Sequence, residues 1–304
     1  MKKQIPPARL LTVLLLLPLA LPQRVHAQKD IEASLFWEIS GNDLSRPSYL
    51  FGTYHLLTDA FLKKLPNVQA ALEKVDGVIV ETEMDSSKVI QLLSLAVMKD
   101  KKLSDLVSKD DYDMLAGEVQ RTMGTPIDLV AQLKPSFIMV TLTVMYARAG
   151  SLSEMEEAKS GVPLDSYFAV EARKRNKPVG TFETMEEQMR ILVDHLPLEE
   201  QARQLVELVK SREEMTEVQD ELLSLYLRGD INGLYQLYQK YEKQFGDASW
   251  LLDDRNEKWM KQLPSMLEEG SQLIAVGALH LPGKKGLIEL LRQRGYRVEA
   301  RPVK

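Results

Sequence analysis

The sequence predicts an α/β fold, in which two related β–α halves contribute to one central mixed sheet and a large helical insertion separates them. Three observations carry that prediction. Short apolar, β-prone runs lie near both ends of the chain. Two of them, Ser48 to His55 (SYLFGTYH) and Gln272 to His280 (QLIAVGALH), end in the same Gly-x-x-His frame, at Gly52 to His55 and Gly277 to His280. The stretch between them, about 87–265, is dominated by helix-period apolar patterns rather than alternation.

In chain order, Leu35 to Ile39 reads as a strand. Gly41-Asn42-Asp43 and Arg46-Pro47 supply turn chemistry, and Tyr49 to Thr53 returns as a second strand, so the pair reads as a hairpin. Asp59 to Val75 places Leu62, Leu65, Val68, Ala71, Leu72 and Val75 on one helical face, with Pro66 near its start or splitting it. Val78 to Val80 is a β-branched strand that delivers Glu81, Thr82 and Glu83. The helical middle begins near Ser87. It includes Asp110 to Met123, stopped by Gly124-Thr125-Pro126, and an apolar segment after Pro135. That segment is far shorter than the roughly 20 residues of a membrane span and predicts a buried core helix.

Gly150 to Gly161 reads as a polar loop, Leu164 to Asn176 as a helix and Val179 to Phe182 as a strand leading directly to Glu183. Helices follow over Met185 to His195, Leu198 to Arg228, Ile231 to Phe245 and Asp247 to Leu267. Leu273 to Val276 is a strand, Gly286 to Gly295 a helix, and Tyr296 to Ala300 the last strand.

The first 27 residues combine Lys2, Lys3 and Arg9 with the apolar run Leu10 to Leu21 and a Val25-His26-Ala27 cleavage pattern. They read as a secretory signal peptide cleaved after Ala27, leaving residues 28–304 as one domain in the periplasm or outside the cell. Losing Lys2, Lys3, Arg9 and Arg24 takes the formal charge from −5 to −9. An acidic mature chain points away from nucleic acid and anionic membrane surfaces, and no stable membrane anchor is expected after cleavage. The absence of cysteine excludes disulfides, thiolate ligands and a cysteine nucleophile.

The chemistry is expected at the two Gly-x-x-His frames. The chain has four histidines, and His55 and His280 alone share that context. Gly52 and Gly277 permit close backbone approach where a strand runs into a loop. A histidine just beyond then lies at the carboxyl edge of the sheet, where open α/β sheets bind ligands. Glu81 and Glu83 leave the next strand with two-residue spacing and can share a face, although spacing alone reads equally well as a solvated strand end. Two imidazoles with one or two carboxylates suit Zn, Mn or Co, or a metal-free acid/base site. Composition alone makes Asp253, Asp254 and Arg255 an ordinary charged helix face. Lys284-Lys285 fails the phosphate-loop pattern, because Pro282 stands where that loop needs Gly and Lys285 where it needs Ser or Thr. No Gly-x-Ser-x-Gly elbow is present.

These blocks resemble the TraB/GumN family, which includes the Tiki metalloproteases and is distantly related to erythromycin-esterase and ChaN-like proteins. The resemblance runs from about Leu35 to Val298 and rests on LFWEIS, SYLFGTYHLL, VIVETE, LDSYFAVEARKRNKPVGTFETMEEQ, LLDDRNEKWM and IAVGALHLPGKKGLIELLRQRGYRV. It implies a site of His55, His280 and Glu81, with Arg255-Asn256 and Glu183-Thr184 as further family elements. The chain has Asp254 before Arg255 where Glu is more usual. The resemblance also implies a hydrolase. Tiki members look like Mn- or Co-dependent proteases, whereas the erythromycin-esterase relatives look metal-free. The resulting expectation is a secreted or periplasmic hydrolase of peptide or small-molecule substrates, in which His55, Glu81 and His280 hold a divalent ion or activate water directly. Arg255 would stabilise the oxyanion, and Glu83, Glu183, Asn256, Gly52 and Gly277 would complete the substrate side. A protein that binds and sequesters a peptide in the same cleft without turnover is the alternative.

Overall fold

Six strands build the sheet: β1 (Phe36–Ser40), β2 (Ser48–Thr53), β3 (Gly77–Val80), β4 (Val179–Thr181), β5 (Gln272–Gly277) and β6 (Arg297–Arg301). They come from a computed structural model that describes residues 33–83, 85–245 and 248–304. The order across the sheet is β4-β3-β5-β2-β1-β6. β4, β3, β5 and β2 run parallel, while β1 is antiparallel to both β2 and β6. The hairpin turn between β1 and β2 uses Gly41, Asn42 and Asp43, all at positive φ (78°, 51° and 63°), which these residue types tolerate better than most.

The two Gly-x-x-His strands are immediate neighbours. β2 and β5 pair with Gly52 opposite Val276 and Thr53 opposite Gly277, so the motifs lie side by side, one residue out of step. From β2 the chain crosses past β5 to β3; from β5 it crosses past β2 and β1 to β6. The crossovers leave in opposite directions, which is the topology that opens a crevice at the carboxyl ends of the strands. Every residue of β3 and of β5 is buried, as parallel strands covered on both faces require.

Thirteen α-helices complete the described residues: α1 (Pro66–Lys74), α2 (Val89–Leu95), α3 (Lys109–Met123), α4 (Pro135–Ala149), α5 (Glu156–Lys159), α6 (Leu164–Lys174), α7 (Met185–Asp194), α8 (Leu198–Lys210), α9 (Arg212–Leu227), α10 (Ile231–Phe245), α11 (Ser249–Trp259), α12 (Leu263–Glu268) and α13 (Leu287–Gln293). Pro66 does split the predicted Asp59 to Val75 helix, into a 3-10 turn (Asp59–Lys64) and α1. The predicted Leu198 to Arg228 helix breaks between α8 and α9 at Ser211, and Asp247 to Leu267 breaks between α11 and α12 ahead of Pro264. The predicted polar loop after Gly150 holds a 3-10 turn (Ser151–Glu154) and α5.

The helical insertion is not continuous, because α6 packs on β3 and β5 and β4 joins the sheet edge. The segments on either side of them form a second core, in which Leu115 and Val119 of α3, Ile138 and Leu142 of α4, and Leu205 and Val209 of α8 pack together. The apolar segment after Pro135 is therefore the core helix predicted. Among the described residues no helix is long and apolar enough to cross a membrane. The predicted signal peptide lies outside the described residues.

Candidate functional site

Four side chains of interest follow consecutive strand ends. His55 lies two residues beyond β2, Glu81 directly follows β3, Glu183 lies two residues beyond β4, and His280 lies three residues beyond β5. α11 crosses this edge and brings Arg255, Asn256 and Trp259. Arg255 and Trp259 are four residues apart and share a helix face, with the guanidinium carbon 4.8 Å from the indole centroid.

Gly277 marks the point of convergence. A β-carbon placed on it would lie 3.3 Å from Glu81 Oε1, 3.6 Å from His280 Cδ2 and 3.6 Å from His55 Nε2. The expected trio therefore lies around one residue, although the two histidines are 225 positions apart in sequence. Gly52 serves close approach rather than an unusual dihedral. A β-carbon there would come within 3.0 Å of both Cα and Cβ of Ala278, so only glycine lets β2 nest against the second motif.

The two histidines occupy opposite environments. His280 is buried, 3% exposed, beneath the Trp259 ring at 4.3 Å. Asn256 donates through Nδ2 to the carbonyls of His280 (3.1 Å) and Lys285 (2.8 Å), so its Oδ1 must be the acceptor for His280 Nδ1 at 2.8 Å. That fixes the tautomer, with the proton on Nδ1 and the lone pair on Nε2. Arg255 Nη1 donates to that lone pair at 3.2 Å. Burial chiefly, joined by the positive charges of Arg255 and His55 and opposed by the pull of Glu81, brings the His280 pKa down to about 3.

His55 has a side chain 67% exposed, and its Nδ1 meets Asp165 Oδ2 at 2.6 Å. Thr53 Oγ1 donates to the other oxygen of Asp165. Asp165 raises the His55 pKa to about 9 by its charge, against partial desolvation and with support from their hydrogen bond and from Glu81. Solvent at the exposed ring screens part of this field.

Glu81 is 8% exposed. Its Oε1 accepts from Gly277 N–H at 2.7 Å, and its Oε2 accepts from Arg255 Nη2 at 2.6 Å and Gln188 Nε2 at 3.2 Å. Burial pushes its pKa up, but the positive charges around it, that of His280 only when its ring is protonated and those of Arg255 and His55 throughout, together with the Gly277 N–H, outweigh burial and hold it down at about 2. Glu183 takes the opposite side of the guanidinium, accepting from Arg255 Nε at 3.0 Å and Nη2 at 3.1 Å, and from Trp259 Nε1 at 2.8 Å. Two carboxylates surround one guanidinium and a neutral imidazole, so the buried cluster carries net negative charge.

Three residues expected on the substrate side make protein contacts of their own. Glu83 lies past the end of β3, where strand alternation no longer applies, and pairs with Arg173 of α6 at 2.8 and 2.5 Å instead of joining Glu81. Glu183 and Asn256 are 3% and 1% exposed. Both are engaged in holding Arg255 and His280. Asp165 escaped the sequence reading although it stands in the LDSYF block, because it is 110 positions from His55. What joins them is the pairing of Thr58 with Pro163 and the hydrogen bond from Leu164 N–H to the Leu57 carbonyl, which pin the start of α6 beside the first motif. Gln188 and Trp259 carried no local signal beyond their helices.

As arranged, the expected metal ligands do not fit an ion together. His55 Nε2 and Glu81 Oε1 face the shared space, but the one lone pair of His280 Nε2 is engaged by the Arg255 cation. Among the described residues no group of three or more Asp, Glu or His side chains is set to hold a metal.

The chain is 25% identical over 331 residues to metalloprotease TIKI2 of Xenopus tropicalis, covering 91% of this chain and 61% of that protein. It is 24% identical to TIKI2 of Danio rerio over 91% of this chain and 62% of the relative. It is 24% identical to metalloprotease TIKI1 of Homo sapiens over 88% and 62%. The chain thus spans about three fifths of the length of these relatives. No solved structure matches it at a comparable level. The TraB/PrgY/gumN family profile matches residues 35–300, nearly the whole described chain. The chain belongs to the TraB/PrgY/gumN family.

Proposed function

We propose that this protein is a hydrolase of peptides in the periplasm or outside the cell, and that Glu81 and His55 act as an acid/base pair on water and substrate over Gly277. One observation carries the reading: His55 Nε2 and Glu81 Oε1 border the same space, while their surroundings push their pKa values apart, to about 9 and about 2. Pairs separated in this way assign acid and base roles. Near neutral pH Glu81 is a carboxylate that orients and polarises a water, and its low pKa means that placement matters more than basicity. His55 is protonated, held by Asp165, and gives the proton on Nε2 to the leaving nitrogen as the water oxygen bonds to the carbonyl carbon and the C–N bond breaks; Glu81 takes the proton that the water loses and returns it to His55 as the products leave. Arg255 keeps Glu81 ionised, and His280 stays neutral. Peptides are the proposed substrates because the relatives named above are metalloproteases. The leader pattern of residues 1–27 supports the location. No step is assigned to a metal, given the engagement of His280 by Arg255.

The test is cleavage of a diverse peptide mixture read by mass spectrometry across pH. Wild type is expected to produce fragments, with His55→Ala and Glu81→Gln inactive and folded by circular dichroism. The rate is expected to fall as pH rises through about 9, where His55 loses its proton. A rate that climbs through that range reverses the His55 assignment. Peptide binding with no product in any condition overturns the hydrolase reading in favour of sequestration.

A further inference from the structure

We propose that Asp59 is a positioning residue for the His55–Asp165 pair: its carboxylate, seated where a side chain on residue 161 would otherwise stand, buckles the segment ahead of α6 to the turn that follows the first Gly-x-x-His motif. The inference rests on the His55 role proposed above, but it is tested on the pair itself, without substrate.

The pair needs an outside frame. The His55 side chain is 67% exposed and that of Asp165 32%, and an ion pair so open to water gains too little to organise two chain segments by itself. Its 2.6 Å contact therefore depends on where the two backbones are set. Both are set within a few residues. Asp59 comes four residues after His55, and Val162 comes three before Asp165. Asp59 N–H donates to the Val162 carbonyl at 2.9 Å, and Val162 N–H donates back to Asp59 Oδ1 at 2.9 Å. Thr58, 8% exposed, donates from N–H to the Glu157 carbonyl at 2.7 Å and from Oγ1 toward the carbonyls of Glu157 and Ser160 at 2.8 and 2.9 Å. Leu57 and Leu164, joined by their backbone bond, are fully buried and anchor the two sides from below.

Asp59 supplies the side-chain contact that reaches farthest toward Asp165, and Gly161 makes its seat. Gly161 has φ 125°, a conformation that L side chains rarely adopt, and a β-carbon there would collide with Asp59 Oδ1. Glycine is needed twice, for its dihedral and for the room it leaves to the carboxylate. What Asp59 contributes is an acceptor oxygen in a fixed place rather than charge, because the charges that act on His55 are those of Asp165, Glu81 and Arg255. Locking residue 162 fixes the entry to α6, and with it the carboxylate that holds His55 Nδ1 and turns Nε2 toward the space over Gly277.

The test is the proton NMR signal of His55 Nδ1–H near neutral pH, carried downfield by its charge-assisted bond to Asp165 and assigned by its loss in Asp165→Ala. Asp59→Ala and Gly161→Ala, two independent ways of emptying the seat, are each expected to lose the signal, with amide exchange at Val162 at least about tenfold faster. Asp59→Asn keeps an oxygen for the Val162 N–H and is expected to show the signal at its wild-type position. Leu115→Ala, which lowers stability in the second core, is expected to keep it, separating positioning from a general loss of stability. A signal retained in Asp59→Ala or Gly161→Ala overturns the inference, as does its loss in Asp59→Asn or Leu115→Ala. A wild type without the signal has no His55–Asp165 pair to position, and the inference falls with it. Absence of peptide cleavage alongside the expected signals defeats the hydrolase reading alone.

Discussion

Replacing Asn256 with alanine tests whether the His280 half of the site is built as argued. The side chain is 1% exposed and makes three hydrogen bonds: it receives His280 Nδ1 and donates to the carbonyls of His280 and Lys285. Alanine leaves one buried donor and two carbonyls short of a partner. A buried polar group left unsatisfied costs about 1–3 kcal/mol, and partial rescue by water or small shifts brings the expected total to about 3–5 kcal/mol. That is a large part of the roughly 5–15 kcal/mol by which a domain is stable. At about 2–4 °C per kcal/mol for a domain approaching this size, the melting temperature should drop by roughly 10 °C, measured by circular dichroism with urea titration as a check. Asn256→Asp is the sharper companion. It keeps an acceptor for His280 Nδ1 but loses both donated bonds and adds a charge that favours the imidazolium. The His280 pKa, held near 3 in the native site, should rise, seen in the ring resonances by NMR titration. A melting temperature within about 2 °C of wild type for Asn256→Ala would show that the three bonds do not hold the motif and would refute the tautomer argument.

Other consequences concern the exposed half and the second core. Asp165→Asn removes the charge that chiefly raises His55, so the alkaline limit of cleavage should move from about 9 toward the ordinary histidine value of 6.5, while activity persists at lower pH; an unmoved limit would separate Asp165 from His55 function. Gly277→Ala has a permissive backbone (φ −51°, ψ 135°) but puts a methyl 3.3 Å from Glu81 Oε1. It should cost about 1 kcal/mol of stability and at least about a hundredfold in cleavage rate, and near-normal kinetics would deny that the reacting atoms sit over this residue. Leu142→Ala, at a fully buried position of the second cluster, should cost about 2–5 kcal/mol and shed amide protection first in α3, α4 and α8. Simultaneous loss in β5 would mean that the two cores unfold as one.

The parts of the fold written in local pattern were legible. The β-branched runs at β3 and β5, the Gly-Asn-Asp turn and the paired Gly-x-x-His frames each specify themselves within a few residues, and together they implied an α/β sheet carrying both histidines at its edge. The sheet order was not legible, because nothing in β2 or β5 alone announces that the other is its neighbour. The pairing of Glu83 with Arg173 was not legible, because period-two reasoning holds only within a strand and β3 ends at Val80. Asp165 was missed because its link to His55 is made by backbone pairing at Thr58 and Leu57, contacts with no side-chain signature. Arg255 looked like an ordinary surface charge by composition; its place under α11, between Glu81 and Glu183, is purely tertiary.

The most instructive gap is the inequality of the two histidines. Matched frames suggest matched roles, yet the frames specify only where each Cα leaves its strand. The ring chemistry is decided by what arrives from elsewhere in the chain. α6 brings a carboxylate to His55 and leaves the ring in solvent, which favours the imidazolium. α11 brings an amide, an indole and a guanidinium to His280 and buries the ring, which favours the neutral form. The Glu81 carboxylate between them favours the imidazolium at both rings, adding to Asp165 at His55 and overridden by burial at His280, while Gly277 N–H and Arg255 hold it in place. A repeated motif has thereby become a polarised site, with a proton donor on the open side and a lone pair on the closed side.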